Sequence, residues 1–214
     1  MTDIKISDLR KQYKKDSLED TELPEDPVVL FRKWFEEAIE AEVTEPNAMA
    51  LATVTGAETP NVRMVLMKGL EDHSISFYTN YESRKAKELA AHPVAACTIW
   101  WAELERQIRF SGKVEKLTVA ESEDYFRSRP RESQIGAWAS NQSTPVASRG
   151  DLQSRFKEME EKFEGKEIPR PDFWGGYKIV FETIEFWQGR PGRLHDRLLY
   201  QQSAGNWNRQ RLAP

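Results

Sequence analysis

Between Asn47 and Leu117 the chain reads as a series of short apolar runs, and this limits its possible folds more than any other feature. AMALATVT is followed by a turn at GAETP, then by VRMVLMKGL and SISFYTN, each alternating or continuously apolar over strand length. PVAACTIWW and ERQIRFSGKVEKL follow after one short helix-like segment. Consecutive strands joined by tight turns predict an antiparallel meander or barrel.

Helices are expected around this core. Asp26-Pro27 supplies an N-cap and a first-turn proline, and Leu30, Phe31, Trp34, Phe35 and Ala38 follow at helical spacing to about Val43. Ser83 caps a short helix to Ala91, and Thr118-x-x-Glu121 is a capping box. Pro130 interrupts that helix, RESQIGAWAS resumes it, and Ser148-x-x-Asp151 opens a charged helix to about Phe163. Strand-like sequence returns at YKIVFETIEFWQ, at RLHDRLLYQQ and near Trp207. Roughly seven or eight strands and four or five helices, without regular alternation, predict a mainly β, α+β chain rather than a doubly wound parallel sheet. Residues 1–25 read as a flexible arm and 26–214 as a single domain.

Composition removes several functional classes. The net charge of -4 gives no overall attraction for nucleic acid or anionic membrane, so an anion site must be local. No run has the length of a signal peptide or membrane span, and a cytoplasmic protein is expected. The one cysteine, Cys97, excludes an intramolecular disulfide and reads as a buried small residue. His73, His92 and His195 are too scattered for a metal cluster, and no metal is expected. G-x-G-x-x-G, the P-loop and the G-x-S-x-G elbow are all missing from the sequence.

Positive charge is concentrated instead. EFWQGRPGRLHDR places Trp187, Arg190, Arg193, His195 and Arg197 together. If that segment is extended, Arg193, His195 and Arg197 share one face that suits an anion or a flat electron-rich ring. A charged edge strand that deters aggregation is the plainer reading. Arg63 and Lys68 in RMVLMK fall on opposite faces of an ideal strand unless the strand end re-aims Lys68. Ser83-Arg84-Lys85 opens a helix and could hold a phosphate. YFRSRPRES brings Tyr125, Arg127, Arg129, Arg131 and Ser133 together, and Gln142-Ser143 lies in a loop. Singly each reads as solvated surface; together they hold more cations than one phosphate needs, which points to two phosphorylated ligands.

RMVLMK, FYTNYESRKAKEL, YFRSRPRESQIGAW, FWGGY, EFWQGRPGRLHDR and the terminal RLAP, in that order, resemble the pyridoxamine (pyridoxine) 5'-phosphate oxidase family from about Leu9 to Pro214. The resemblance implies an FMN-binding split β-barrel of antiparallel Greek-key type, and a homodimer with active sites at the subunit interface. The implied reaction is FMN-dependent oxidation of pyridoxamine or pyridoxine 5'-phosphate to pyridoxal 5'-phosphate, by hydride transfer to flavin N5 and reoxidation by O2 to give hydrogen peroxide. FMN would be held by Arg63, Met64, Val65, Leu66, Met67 and Lys68, by Tyr78, Thr79, Arg84 and Lys85, and by Gln107, Gln142, Ser143, Trp187 and Arg197. The substrate phosphate would meet Lys68, Tyr125, Arg129 and Ser133. Arg193 and His195, with Leu194 between them, would face the pyridine ring and its reacting carbon as the catalytic pair. Arg10, Lys11, Gln12 and Tyr13 match a family segment that closes over the substrate. Arg190 receives no role and reads as solvated surface. Two other functions remain open: a flavin or quinone reductase on the same barrel, and a non-catalytic flavin or pyridoxal-phosphate carrier.

Overall fold

The computed structural model describes residues 12–19, 23–56 and 58–214. Its elements are α1 (Pro27–Glu40), β1 (Ala48–Val54), β2 (Pro60–Leu66), β3 (Gly69–Glu71), β4 (Ser74–Asn80), α2 (Arg84–Ala91), β5 (Val94–Trp101) and β6 (Arg106–Lys116). Three helices follow, α3 (Val119–Ser128), α4 (Arg131–Ala139) and α5 (Arg149–Lys162), then β7 (Trp174–Gln188), a 3-10 turn at Pro191–Arg193, β8 (Asp196–Ser203) and β9 (Asn206–Leu212). The strands form one sheet in the order β2-β1-β5-β6-β7-β4-β3, with β8 pairing β7 and β9. The β3–β4 hairpin thus pairs with β7 rather than with its sequence neighbours, a non-local connection of Greek-key kind.

The chain divides into two compact units, and β5, β6 and β7 each contribute to both. Unit 1 comprises residues 1–46, 98–110 and 182–214. In it α1 begins where Asp26 accepts a hydrogen bond from the Val28 amide at 2.8 Å, as its Asp-Pro start predicts. The buried stripe of Phe31, Trp34 and Ala38 packs inward, Phe31 edge-on to Phe110 and Trp34 edge-on to Phe186. Burying each such ring stabilises the fold by about 1.5–3 kcal/mol.

Within the expected arm, residues 12–19 are tied to this unit. Glu105 accepts the Lys14 and Lys15 amides at 2.8 and 3.2 Å, and Arg106 pairs with Asp16 at 2.6 Å. Arg106 is itself buried; it also pairs with Glu37, donates to Gln188 and stacks 4.5 Å over Trp34. Arg10 and Lys11 lie outside the described residues.

Unit 2 comprises residues 47–97 and 111–181. The inward faces of β1, β4 and β7 bury Met49, Leu51, Ile75, Phe77 and Ile179, as their alternation requires. A satellite cluster of Phe126, Ile135, Phe163, Ile168 and Trp174 seats α3 and α4. The Thr118–Glu121 capping box is formed on both sides. Cys97 is 4% exposed, and burial pushes its thiol up to about 12. Among the described residues no helix is long and apolar enough to cross a membrane.

Candidate active site

Unit 2 contains a cavity of about 660 Å³ whose lining includes five cations, Arg63, Lys68, Arg84, Lys85 and Arg129, and no carboxylate among the described residues. Pairing of β2 with β1 sets Arg63 opposite Leu51. Its guanidinium donates to the Leu51 carbonyl at 3.1 Å, to Thr53 Oγ1 at 2.6 Å and to Glu88 Oε2 at 3.0 Å. Ser83 caps α2, which places Arg84 and Lys85 in the first turn. Arg84 Nε donates to Glu88 Oε1 at 3.0 Å. Lys85 donates to Thr79 Oγ1 at 3.0 Å, and that hydroxyl donates to Gln142 Oε1 at 2.9 Å. Ser143 follows in a left-handed conformation, φ 70°, and shares the lining with Gln142.

The strand end brings Lys68 to the same cavity as Arg63. β2 stops at Leu66, after which the Met67 amide bonds to the Asn47 carbonyl at 2.9 Å and the Lys68 amide to the Ser76 carbonyl at 2.8 Å. Met64, Val65 and Leu66 line the cavity, whereas the Met67 side chain is buried and does not.

Aromatic rings form another part of the lining. Tyr78 stacks on Tyr125 at 3.8 Å and on Trp174 at 5.4 Å, and the Arg129 guanidinium lies 4.6 Å over Trp174. Arg129 Nη1 is buried without a hydrogen-bond partner, a costly state that an anionic ligand would relieve. Ser133, in the first turn of α4, is half-buried and is not part of the lining.

The electrostatics of the cavity are set first by burial and then by neighbouring charges and hydrogen bonds. Burial, and then the charge of Arg63, lowers Lys85 to about 8, with Glu88 working against that fall. Burial alone would raise Glu88; hydrogen bonds from Thr53, Asn61 and Arg84, with the charge of Arg63, outweigh it and hold the group down to about 2. Burial raises the Tyr78 phenol to about 12, so it remains a donor at neutral pH.

The remaining expected residues lie in unit 1. β8 begins only at Asp196, so the shared face predicted for Arg193, His195 and Arg197 does not form. Arg193 ends the 3-10 turn with φ 63° after Gly192 with φ 67°, Leu194 caps it, and only Arg197 lies in the strand. Proline and glycine in RPGR favour a turn over an extended run. Arg193 and Leu194 are exposed.

Trp187 pairs with Arg197 across β7–β8. His195 sits 4.6 Å from the Trp187 ring, and Tyr13 stands edge-on to both at 5.7 Å. Arg197 donates to Glu185 at 2.8 Å, and that hydrogen bond raises its pKa. Gln107 is half-buried on β6, and Gln12 is exposed.

Arg190 is not the solvated residue expected. Its amide donates to His195 Nδ1 at 3.1 Å, Nη1 donates to the Asp16 carbonyl at 2.8 Å, and Nε lies 3.5 Å from Asp196. An acceptor Nδ1 means that the neutral imidazole carries its proton on Nε2. Burial, with the charge of Arg193, lowers the His195 pKa and favours that neutral form.

Sequence reasoning missed Trp174, Asn61 and Val62 in the cavity, and Glu88 behind it. Glu88 is in an ordinary charged helix sequence, RKAKELAA, that offers no signal of burial.

The comparisons agree along the whole chain. A family model described as pyridoxamine 5'-phosphate oxidase matches residues 35–163, and one described as the pyridoxine 5'-phosphate oxidase C-terminal dimerisation region matches residues 174–214. The pyridoxine/pyridoxamine 5'-phosphate oxidase of Acaryochloris marina is 51% identical over 213 residues, covering 100% of this chain and 97% of the relative. That of Thermosynechococcus vestitus is 50% identical, covering 98% and 99%. Among solved structures, PhzG from Burkholderia lata, in complex with tetrahydrophenazine-1-carboxylic acid, has a TM-score of 0.88 at 30% identity, covering 94% of this chain and 99% of its own. A pyridoxamine 5'-phosphate oxidase-related, FMN-binding protein from Nostoc punctiforme has a TM-score of 0.71 at 16% identity, covering 86% and 97%, a likeness of fold. These likenesses bear out the expected α+β split-barrel fold. With half its residues identical to curated relatives over their full length, the chain belongs to the pyridoxamine 5'-phosphate oxidase family.

Proposed function

We propose that this chain is an FMN-dependent oxidase that converts pyridoxamine or pyridoxine 5'-phosphate to pyridoxal 5'-phosphate, acting as a homodimer with its active sites at the subunit interface. The observation that carries the reading is the cavity of unit 2, where five cations and an aromatic stack suit two phosphates and flat rings. The names of the half-identical relatives supply the substrate class. The cavity fits a phosphorylated flavin on its own chemistry: Arg63, Arg84 and Lys85 line it together, and burial, with the charge of Arg63, depresses Lys85, which an anion would relieve.

When bound, FMN supplies the hydride acceptor at N5 and the route by which O2 is reduced to hydrogen peroxide. Arg63, Arg84 and Lys85 hold its phosphate. Met64 to Leu66, Tyr78, Thr79, Gln142 and Ser143 line the same cavity, and Gln107, Trp187 and Arg197 complete the set that the family resemblance implies. Lys68, Tyr125 and Arg129 take the substrate phosphate, and Arg129 thereby gains the partner that its buried Nη1 lacks. Arg193 clamps the pyridine ring and stabilises charge as the hydride leaves the aminomethyl or hydroxymethyl carbon. His195, with Nδ1 occupied by the Arg190 amide, presents an Nε2–H donor that orients substrate. A neutral amine loses hydride with no obligatory base, and water then hydrolyses the resulting imine to the aldehyde with release of ammonia; the alcohol also gives up its hydroxyl proton, to water. Gln12 and Tyr13 belong to the segment assigned to closing over the substrate.

The purified protein should be yellow, with a flavin absorption spectrum, and should take up oxygen when pyridoxamine 5'-phosphate is added. A colourless protein that takes up no added FMN refutes the reading.

A further inference from the structure

Glu88 is buried at 7% exposure and is absent from the cavity lining, yet it hydrogen-bonds three residues of that lining, Asn61, Arg63 and Arg84. Asn61 Nδ2 and Arg84 Nε both donate to Oε1 at 3.0 Å. Thr53 Oγ1 donates to Oε2, and Arg63 Nη2 donates to it at 3.0 Å. Each oxygen therefore accepts two donors, and the donors come from β1, β2 and α2 itself. A carboxylate behind an anion site opposes anion binding through its charge, so its presence needs a compensating reason.

We propose that Glu88 is a positioning residue of the phosphate cradle, holding Arg63 and Arg84 in the geometry that makes this site prefer a phosphorylated flavin over riboflavin; this rests on the FMN reading above. Three bonds to Leu51, Thr53 and Glu88 fix the Arg63 guanidinium and leave Nε–H and one Nη2–H for a ligand. Arg84 is 64% exposed along its side chain; its bond through Nε directs a long, mobile group and leaves both terminal nitrogens for a phosphate. Glu88 also offsets the mutual repulsion of Arg63 and Lys85, which helps keep Lys85 charged. The carboxylate thus lowers the ordering cost of two arginines and supports the charge of a lysine, while phosphate contacts are left to those three cations.

Glu88→Gln is the direct test. An amide has one accepting oxygen and a donating NH2, so one pair of donors, Asn61 with Arg84 or Thr53 with Arg63, would face hydrogens. Dissociation constants for FMN and riboflavin are read from flavin fluorescence quenching on the full-length apoprotein. The wild-type chain should prefer FMN, and the variant should bind FMN ~30-fold more weakly with riboflavin changed less than ~3-fold. The pH above which FMN binding declines should also move down, because Lys85 loses its supporting charge. Equal losses for both flavins would mark Glu88 as merely structural, and unchanged or tighter FMN binding would show that its repulsion dominates; either result overturns the proposal. A wild-type chain with no preference for FMN overturns the flavin-phosphate reading and this inference with it. Should Glu88→Gln fail to fold, Thr53→Val removes the hydroxyl that links Arg63 to Glu88 at similar shape. It should weaken FMN relative to riboflavin by ~5-fold, and an unchanged ratio overturns the proposal.

Discussion

In the cradle of unit 2, Arg63 and Lys85 are held by groups on β1, β4 and α2, close in sequence and placed by regular hydrogen bonding. In unit 1, His195 and its turn are held through Arg190 by the carbonyl of Asp16 and the carboxylate of Asp196, and Asp16 is 174 residues away from Arg190. The first arrangement is built on paired strands and a side-chain-capped helix. The second depends on a strap, residues 12–19, that must be seated before the turn has all its partners. In the roles proposed above, binding thus rests on paired strands and a capped helix, and catalysis on a turn held from a distant segment of the chain.

Removing Arg193 separates the two most sharply. Arg193→Ala should lower kcat/KM for pyridoxamine 5'-phosphate by on the order of a hundredfold, about 3 kcal/mol of transition-state stabilisation, with flavin affinity unchanged. Near-normal turnover by that variant removes Arg193 from catalysis, and a matching loss of flavin dissolves the contrast.

The cradle has its own signature in pH. Lys85 sits at about 8 in the folded chain against the ordinary lysine value of 10.5, so the unfolded chain binds more protons between those values. Without an anion, raising the pH through that window stabilises the fold. A phosphate that needs the charged lysine does the reverse: FMN affinity should be level below about pH 8 and fall by up to about tenfold per unit above it. Riboflavin titrated in parallel should show no such fall; the same fall for both flavins removes Lys85 from the phosphate.

The strap gives the smallest effect. A Cβ on Gly189 would lie 2.7 Å from Tyr13 Cγ and 3.1 Å from Glu105 Cβ, so Gly189→Ala must displace the ring. We expect KM to rise by roughly three- to tenfold and proteolysis within residues 12–19 to quicken, while flavin affinity holds. An undisturbed KM would mean that Tyr13 does not serve the substrate.

What could be read beforehand follows the same division. Capping residues and strand alternation exposed α1, α2, α3 and the cradle cations, because those signals are local and the elements regular. Alternation misled at Arg193 and His195, where Pro191 and Gly192 turn the chain before the strand begins. Arg190 looked solvated because one partner, Asp16, lies at the other end of the sequence, and the other two, His195 and Asp196, reach it only through the turn. Glu88 and Trp174 were silent for a similar reason: their roles come from what the sheet brings beside them, and neither residue type announces it.

An oxidase of the proposed kind releases hydrogen peroxide beside its own polypeptide at every turnover. The sulfur most open to that attack in most proteins is a thiolate, and here the sole cysteine is Cys97. Its side chain is buried in β5 and burial pushes the thiol up to about 12, so it is held in the unreactive protonated form at neutral pH. If the proposed oxidase reaction holds, the cysteine is in this respect shielded from the peroxide it would release, and activity should not depend on a thiol reductant.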